Sequence, residues 1–384
     1  MLITLLIFLI VLGLIVFVHE FGHFICAKKL GAKAEEFGFG FPPRMIGIYK
    51  KNKNWKICFR KTPKADNTIY SLNWIPLGGF VKIKGEDGSD KNDSDSFAGL
   101  KIWKKAVILV AGVVMNIILA MFLLGAGYMI GLPQALDSTI SKSAIISEKN
   151  VQIVSVSSGS EAEHAGLKTG DEILLIDGKE IVFSSIQDYL TQNVGEGVVY
   201  TIKRGDQQFE KTIIPQILQE TGRGGVGVGL VETAIVSYPW HIAIWKGIVE
   251  ALYYFKEIAI AFIILLKNLI IGRGGAEEIS GPVGIAVITA RVAKLGFIYI
   301  LQFTALLSIN LAILNIFPFP ALDGGRLLFL AVEKLRGKPV SQKIENIIHN
   351  SGFALLMILL IVITYRDFVK FGSKFVDLWQ SIIH

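Results

Sequence analysis

The chain alternates long apolar runs with polar segments. Four apolar runs, 1–27, 106–131, 295–325 and 352–371, reach the roughly 20 residues that span the hydrocarbon core of a bilayer. The composition agrees: 52% of the 384 residues are hydrophobic and only 18% are charged, whereas ordinary soluble domains are about 25% charged. The pattern predicts a polytopic α-helical membrane protein with about four transmembrane helices.

The first apolar run also has to be compared with a cleavable signal peptide. It has no basic residues at its start, and it is longer than the usual stretch of about 7–15 apolar residues. Lys28 and Lys29 follow it, where a signal peptide would have small residues at a cleavage site. We therefore expect residues 1–27 to be the first transmembrane helix.

The distribution of charge predicts how the helices cross the membrane. Residues 28–105 hold 17 Lys and Arg against 8 Asp and Glu, whereas residues 141–240 hold 8 against 13. Basic loops stay on the cytoplasmic side, so we expect 28–105 and the basic segment 326–350 to be cytoplasmic loops. Four crossings then place both termini, including the tail 372–384, on the extracytoplasmic side.

A fifth apolar region, 241–271, would make the number of crossings odd if it spanned the membrane. It is interrupted by charged residues, and such a pattern is typical of an amphipathic helix at the membrane surface. We expect it to lie at the interface, with a fifth span as the alternative. The charged residues are Lys246, Glu250, Lys256, Glu257 and Lys267.

The cytoplasmic segment contains a stretch with strand character. Residues 68–85 are rich in β-prone residues around a Pro-Leu-Gly-Gly turn. An open sheet edge cannot face lipid, but a hairpin packed against helices is allowed at membrane depth. We expect membrane-associated β-hairpins within 28–105.

The extracytoplasmic segment 141–235 reads as one compact α+β module. Residues 165–178, with the sequence AGLKTGDEILLIDG, resemble the signature of a PDZ domain of the kind found in bacterial envelope proteases. This resemblance implies that the module captures an extended peptide or a C-terminus by strand addition. We expect His164 to belong to this module rather than to bind a metal.

The first apolar run contains the pattern H-E-x-x-H. On a helix, His19 and His23 are four residues apart and share one face, so both imidazoles can reach one zinc ion. Glu20 lies beside them, where it can take a proton from water. Ionisable side chains within a membrane helix are costly, and metal binding would give these histidines a partner.

A third metal ligand is needed, because catalytic zinc usually has three protein ligands and one open position. Asp323 is the candidate, since it follows the apolar run of 310–322 at a break marked by Pro318 and Pro320. A helix cap at the cytoplasmic boundary is its alternative role, because a Gly-Gly-Arg sequence follows.

The depth of the two motifs supports their pairing. His19 lies about 27 Å along the first helix at roughly 1.5 Å per residue, which places it near the cytoplasmic face. Asp323 lies near the cytoplasmic end of its own span, so both motifs are expected at one depth.

Together these motifs resemble the site-2 protease family, and in particular its bacterial RseP-type members. The likeness covers nearly the whole chain in the family's order. The matching stretches are HEFGH at 19–23, IPLGGFVK at 75–82, AGVVMN at 111–116, SGPVGI at 280–285 and N-x-x-P-x-P-x-L-D-G at 315–324.

The resemblance implies roles for individual residues. The family's zinc ligands fall on His19, His23 and Asp323, with one Zn²⁺ per chain, and its catalytic glutamate falls on Glu20. Three residues of 315–320 match the family's element that is thought to engage the substrate. Gly112 begins the family's G-x-x-x-N pattern, and we add the asparagine of that pattern to the candidates. These candidate substrate-binding residues are Asn315, Pro318, Pro320 and Asn116.

The resemblance also implies a function. Family members cut transmembrane segments of single-span proteins, such as anti-sigma factors, and remnant signal peptides, in the bacterial inner membrane. The chain departs from the best-known members in having one PDZ unit instead of two. The alternatives are a metal-binding transporter or a PDZ scaffold without enzymatic activity.

Two other classes of feature are absent from the sequence. No basic stripe is interleaved with aromatic residues, so nucleic-acid binding is not expected. Two cysteines, Cys26 and Cys58, are too few for a disulfide framework, and we expect free thiols.

Overall fold

The computed structural model of the chain describes residues 2–51, 54–59, 67–136, 140–141, 143–180, 182–205, 207–218, 221–275 and 279–383. The described chain divides into two compact units, residues 1–126 with 244–384, and residues 127–243. The helices are α1 Leu2–Leu30, α2 Ile102–Ile130, α3 Glu161–His164, α4 Phe183–Gln192, α5 Trp240–Ile271, α6 Pro282–Leu295, α7 Phe297–Ile316, α8 Asp323–Arg336 and α9 Gln342–Ile383.

Four of the described helices are long and apolar enough to cross a membrane, which confirms the expected fold class. The candidate spans are Leu5–Leu30, Ile102–Ile130, Phe297–Ile316 and Gln342–Lys370. They belong to α1, α2, α7 and α9. The long helix α5 has charged residues along its length, and its position at the membrane surface stays a prediction.

The predicted third span, 295–325, differs from the structure. Helix α7 ends at Ile316, and a separate helix begins at Asp323. Proline cannot continue the hydrogen-bond ladder of a helix, and Pro318 and Pro320 lie between the two helices. Asp323 therefore begins a helix and does not lie inside a span.

The segment 326–350, expected to be a loop, is largely helical. Its basic residues indicate the side of the membrane and not the secondary structure. Leu327 and Leu330 of α8 pack against an apolar cluster that includes Ala27 of α1 and Ile108 of α2. Gly337 ends α8 in a left-handed conformation (φ 67°). The last span was predicted over 352–371, but its helix, α9, begins ten residues earlier at Gln342 with several polar residues.

A three-stranded sheet packs against the first transmembrane helix. Its strands are β1 Ala34–Lys51, β2 Asn54–Cys58 and β3 Ile69–Ile83, in the order β2-β1-β3. Gly38 pairs with both Phe80 and Ser71, so the long strands bend back on themselves. A Cβ on Gly78 would meet the side chain of Val16, which puts the Pro-Leu-Gly-Gly bend against α1.

The second unit is an α+β module built on a six-stranded sheet. The sheet order is β4-β11-β5-β6-β7-β8, and α4 covers its apolar face with Ile186 and Leu190. A separate pair joins β9 and β10. The strands are β4 Leu132–Ala135, β5 Ile145–Val156, β6 Glu172–Ile176, β7 Val198–Arg204, β8 Gln207–Ile213, β9 Gln216–Ile217, β10 Gly224–Gly225 and β11 Val228–Ser237.

A buried ion pair fixes the turn that precedes β6. Asp171 is almost fully buried and accepts hydrogen bonds from Arg204 at 2.6 and 2.7 Å and from the Lys168 backbone N–H at 2.8 Å. Burial by itself raises the pKa of the Asp171 carboxyl, but these bonds outweigh it and hold the pKa below its ordinary value. His164 ends the short helix α3 of this unit and does not belong to the group of His19, His23 and Asp323.

Candidate metal centre

Two histidines of α1 and one aspartate of α8 bring three ligand atoms together. His19 Nε2 lies 3.1 Å from Asp323 Oδ2, and His23 Nε2 lies 3.2 Å from the same oxygen. The two Nε2 atoms are 3.1 Å apart. Both histidines are buried, at 5% and 6% exposure.

The loop before α8 directs Asp323 towards the histidines. Ala321 has a positive φ of 77°, a strained conformation for a residue with a Cβ, and its N–H donates to His349 Nδ1 at 3.3 Å. Gly324 and Gly325 follow, and a Cβ on either would collide with the backbone of residues 316–320. The close packing of these glycines sets the first turn of α8, which carries Asp323.

The donor set fits a zinc ion. Two imidazole nitrogens and one carboxylate oxygen are a usual ligand set for catalytic zinc, which leaves a fourth position open. Ligand atoms about 2.0 Å from a tetrahedral zinc lie about 3.3 Å apart, close to the three separations in this cluster. The residues present therefore fit the metal without a change of arrangement.

Hydrogen bonds behind His23 orient its ring. Nδ1 of His23 lies 2.8 Å from the carbonyl oxygen of Ile108. A carbonyl can only accept, so Nδ1 carries the proton and Nε2 keeps its lone pair for a metal.

The buried amide of Asn116 orients the ring of His19. Its amide is fully buried and its Nδ2 lies 3.4 Å from His19 Nδ1, while Oδ1 has no hydrogen-bond partner among the described residues. Oxygen and nitrogen of an amide are assigned from the surrounding bonds. Turning the amide over places Oδ1 on Nδ1 of His19, where it accepts the ring proton and leaves Nε2 free as a ligand.

Glycines allow α2 to approach the histidines. A Cβ on Gly112 would lie 2.5 Å from His23 Nε2 and 2.7 Å from His19 Cε1. On the facing helix, a Cβ on Gly22 would collide with the carbonyl of Ala111. The two helices can pack at this distance only because both positions lack a side chain.

Glu20 faces a small polar cavity next to the ligands. The cavity measures about 80 Å³, enough for a few water molecules. It brings Glu20 together with His23, Asp323 and a further carboxylate, Glu86. Its other lining residues are Val81, Ile83, Phe97, Ile108 and Leu109.

The remaining candidate residues lie at different distances from the metal centre. Asn315, in the last turn of α7, has its Nδ2 3.4 Å from His19 Nε2. Pro318 and Pro320 lie in the loop between α7 and α8, and neither is among the described residues that line the cavity. Asn116 lies behind His19 and does not line the cavity either.

Two parts of the centre have no signal in the sequence. Ile108 acts through its backbone carbonyl, which every residue possesses, so its type carries no information. Glu86 and Arg326 form an ion pair beside the cavity, but in the sequence each looks like one charge among many.

Comparison with known proteins decides the family. The model of peptidase family M50 matches residues 7–359. The chain belongs to peptidase family M50, the site-2 proteases. The match spans the positions of His19, Glu20, His23 and Asp323, and the chain is a zinc metalloprotease of this family.

Relatives extend over almost the whole chain. The zinc metalloprotease RasP of Geobacillus kaustophilus is 29% identical over 95% of this chain and 97% of its own. Provisionally named zinc metalloproteases of Clostridium perfringens and Clostridium acetobutylicum are 32% and 31% identical, over 94% and 93% of this chain and 97% and 95% of theirs. The PDZ domain of an SdrC-like protein of Listeria innocua is 28% identical over 21% of this chain and 92% of that domain, with a TM-score of 0.20.

Proposed function

We propose that the protein is an intramembrane protease that cuts transmembrane segments of single-span membrane proteins. One observation carries this proposal. The two histidines and Glu20 lie on a transmembrane helix, beside a polar cavity, and an ionisable cluster at that place is costly unless it has a function.

Different residues carry out metal binding, proton transfer and stabilisation of negative charge. His19, His23 and Asp323 would hold one zinc ion per chain, which when bound lowers the pKa of water and polarises the scissile carbonyl. Glu20 takes the proton of the attacking water on its carboxylate and passes it to the leaving amine nitrogen. The Asn315 amide, beside His19, is placed to donate to the developing negative charge on the substrate oxygen.

The sheet offers a binding edge for the unwound substrate. Residues 79–83 of β3 pair with 34–39 of β1 on one side, and within the described chain no strand pairs with their other side. Val81 and Ile83 of this edge line the metal cavity. An extended substrate added as a further strand would pass beside Glu20, which is β-strand addition. Pro318 and Pro320 lie in the irregular segment between α7 and α8, and we propose that they also contact the substrate.

The second unit is proposed to be a PDZ domain that selects substrates. Its support is the A-G-L-x-x-G-D pattern at 165–171 and a sheet with helices α3 and α4 packed on it. Capture of a free C-terminus would restrict cleavage to membrane proteins already trimmed outside, such as anti-sigma factors and remnant signal peptides. We place the protein in a bacterial inner membrane with both termini extracytoplasmic.

Cleavage by the full-length protein in proteoliposomes tests the proposal. A model single-span substrate is incubated with wild type, Glu20→Gln and the control Glu257→Gln, which lies on α5 and lines neither the metal cavity nor the cleft beside it. Loss of the proton acceptor is expected to slow cleavage by about 10²–10⁴-fold, with zinc content unchanged and the control fully active. Equal cleavage by Glu20→Gln and wild type would remove Glu20 from the mechanism. A wild-type protein that holds zinc and cuts no membrane substrate would favour a transporter or scaffold.

A further inference from the structure

The metal cavity adjoins a second, more open cleft. This outer cleft measures about 350 Å³ and is lined mainly by charged residues. Ile83 and Glu86 line both spaces, so the cleft and the cavity meet at these two residues. The charged residues of the outer cleft include Lys82, Lys84, Asp87, Asp90 and Arg326.

An ion pair stands where the two spaces meet. Arg326 Nη1 donates to Glu86 Oε1, and the two side chains are 27% and 32% exposed. Glu86 follows β3, after a turn at Gly85 (φ 70°). Arg326 lies one helical turn after Asp323 on α8, so the pair joins the end of β3 to the helix that carries a metal ligand.

A second hydrogen bond holds the backbone next to Glu86. Gln342, the first residue of α9, donates from Nε2 to the carbonyl oxygen of Asp87 at 2.8 Å. The backbone beside Glu86 is therefore held in place even when the ion pair opens. Opening then needs only rotation of the Glu86 and Arg326 side chains.

We propose that the Glu86–Arg326 ion pair is the gate through which water reaches the metal cavity. The inference rests on the proposed function, because each cleaved peptide bond takes up one water. The hydroxyl of that water joins the carbonyl carbon, and its remaining proton goes to the amine nitrogen. Water must then be replaced after every turnover in a cavity that holds only a few molecules.

The energy of the pair suits a gate. Ion pairs that remain partly exposed are weak, so thermal motion opens them often. Closed, the pair stands where the outer cleft meets the metal cavity. Open, it leaves two charged side chains that hydrate readily and line a route for water.

Thiol accessibility measures the gate directly. Val81 lines the metal cavity only, and Ser89 lines the outer cleft only. Val81→Cys and Ser89→Cys are made separately in the full chain, with the native Cys26 and Cys58 replaced by Ala. The rate of modification by a charged methanethiosulfonate reagent is followed in proteoliposomes, and zinc content is measured beside it.

Removal of the pair should open the inner site alone. Arg326→Ala is expected to speed modification of the Val81→Cys thiol about fivefold, the change that loss of a weak pair allows. The Ser89→Cys thiol should react at an unchanged rate. The exchanged pair, Glu86→Arg with Arg326→Glu, should restore the slow rate at Val81→Cys.

Two results would overturn the gate. An unchanged rate at Val81→Cys in Arg326→Ala would mean that water enters elsewhere. A faster rate accompanied by loss of zinc, and not restored by the exchanged pair, would mean that the pair only anchors Asp323. Neither readout needs proteolysis, so a wild type that cuts nothing would refute the proposed function and leave the gate to be judged on these rates.

Discussion

His23 donates its Nδ1 hydrogen to the backbone carbonyl of Ile108, 2.8 Å away. The bond joins the first transmembrane helix to the second and fixes which ring nitrogen faces the metal centre. An apolar residue thus orients a candidate metal ligand through its backbone alone. The same helix, α2, supplies Gly112 and Asn116 to the two histidines.

Substitution of Gly112 should disturb the ligands without touching them chemically. In Gly112→Ala the new methyl group would lie 2.5 Å from His23 Nε2, so a helix or a ring must move. We expect zinc affinity to fall about 10- to 100-fold, the usual effect of displacing groups that support metal ligands. Gly13→Ala is the matched control, because its nearest neighbour is at 3.6 Å. Equal zinc affinity in the two variants would contradict the close approach of α2.

The hydrogen bond from His19 to Asn116 predicts a chemical requirement at residue 116. Asn116→Leu removes the acceptor behind the ring, and Asn116→Asp keeps one. We expect the first to weaken zinc affinity about 10- to 100-fold and the second to weaken it less. Competition with a chelating dye measures both, and the spectrum of bound Co²⁺ reports ligand geometry. Tight binding and an unaltered Co²⁺ spectrum in Asn116→Leu would show that Asn116 does not orient His19.

The ion pair of the second unit predicts its response to acid. Asp171 has its pKa held below the ordinary value of about 3.9, so its contribution is present above that pH and is lost as pH falls through the lower, folded-state pKa. Asp171→Asn should destabilise the unit by about 1–3 kcal/mol at neutral pH. Amide hydrogen exchange of residues 151–213 in the full chain gives this value.

A neighbouring pair serves as the control for Asp171. Glu172 and Lys203 are more exposed and 3.7 Å apart, so Glu172→Gln should change stability by less than about 1 kcal/mol. Comparable losses of stability in the two variants would show that the buried Asp171–Arg204 pair stabilises the unit no more than the exposed pair does.

A buried hydroxyl predicts a stabilising substitution. Tyr200 is 1% exposed, and its hydroxyl has no partner within the part of the chain that the structure describes. Burial raises the pKa of Tyr200 well above its ordinary value. Because an unpaired buried polar group costs about 1–3 kcal/mol, Tyr200→Phe should raise stability or leave it unchanged. Slower exchange of the same amides would agree, and a clear loss of protection would reveal an overlooked partner of the hydroxyl.

The helical part of the site could be predicted from sequence because its spacing is local. His19 and His23 are four residues apart, and helix geometry alone brings their rings together. Asp323 is 300 residues from His23, and its contact with the histidines was suggested by its position after an apolar run, its depth and the family resemblance. The four candidate spans also followed from hydropathy, since lipid requires about 20 apolar residues in each, although the bounds of the third and fourth did not.

Other parts of the centre arise only from packing. The Ile108 carbonyl has no sequence signature, and the clearance at Gly112 depends on how closely two helices approach. Asp323 was expected inside the third span, but it begins α8, because α7 ends before Pro318 and Pro320. The helix over 323–336 could not be told from a loop, because the basic residues of 326–350 indicate a cytoplasmic segment and not its secondary structure.

Zinc content is the most direct test of the metal centre. The full-length protein is purified in detergent as wild type, His23→Ala and Asp323→Asn, and zinc per chain is measured beside cleavage of a model single-span substrate. We expect close to one zinc per wild-type chain, weakened binding in both variants, and no cleavage by either. Full zinc retention in Asp323→Asn would contradict the account, because it would separate the aspartate of α8 from the histidines of α1.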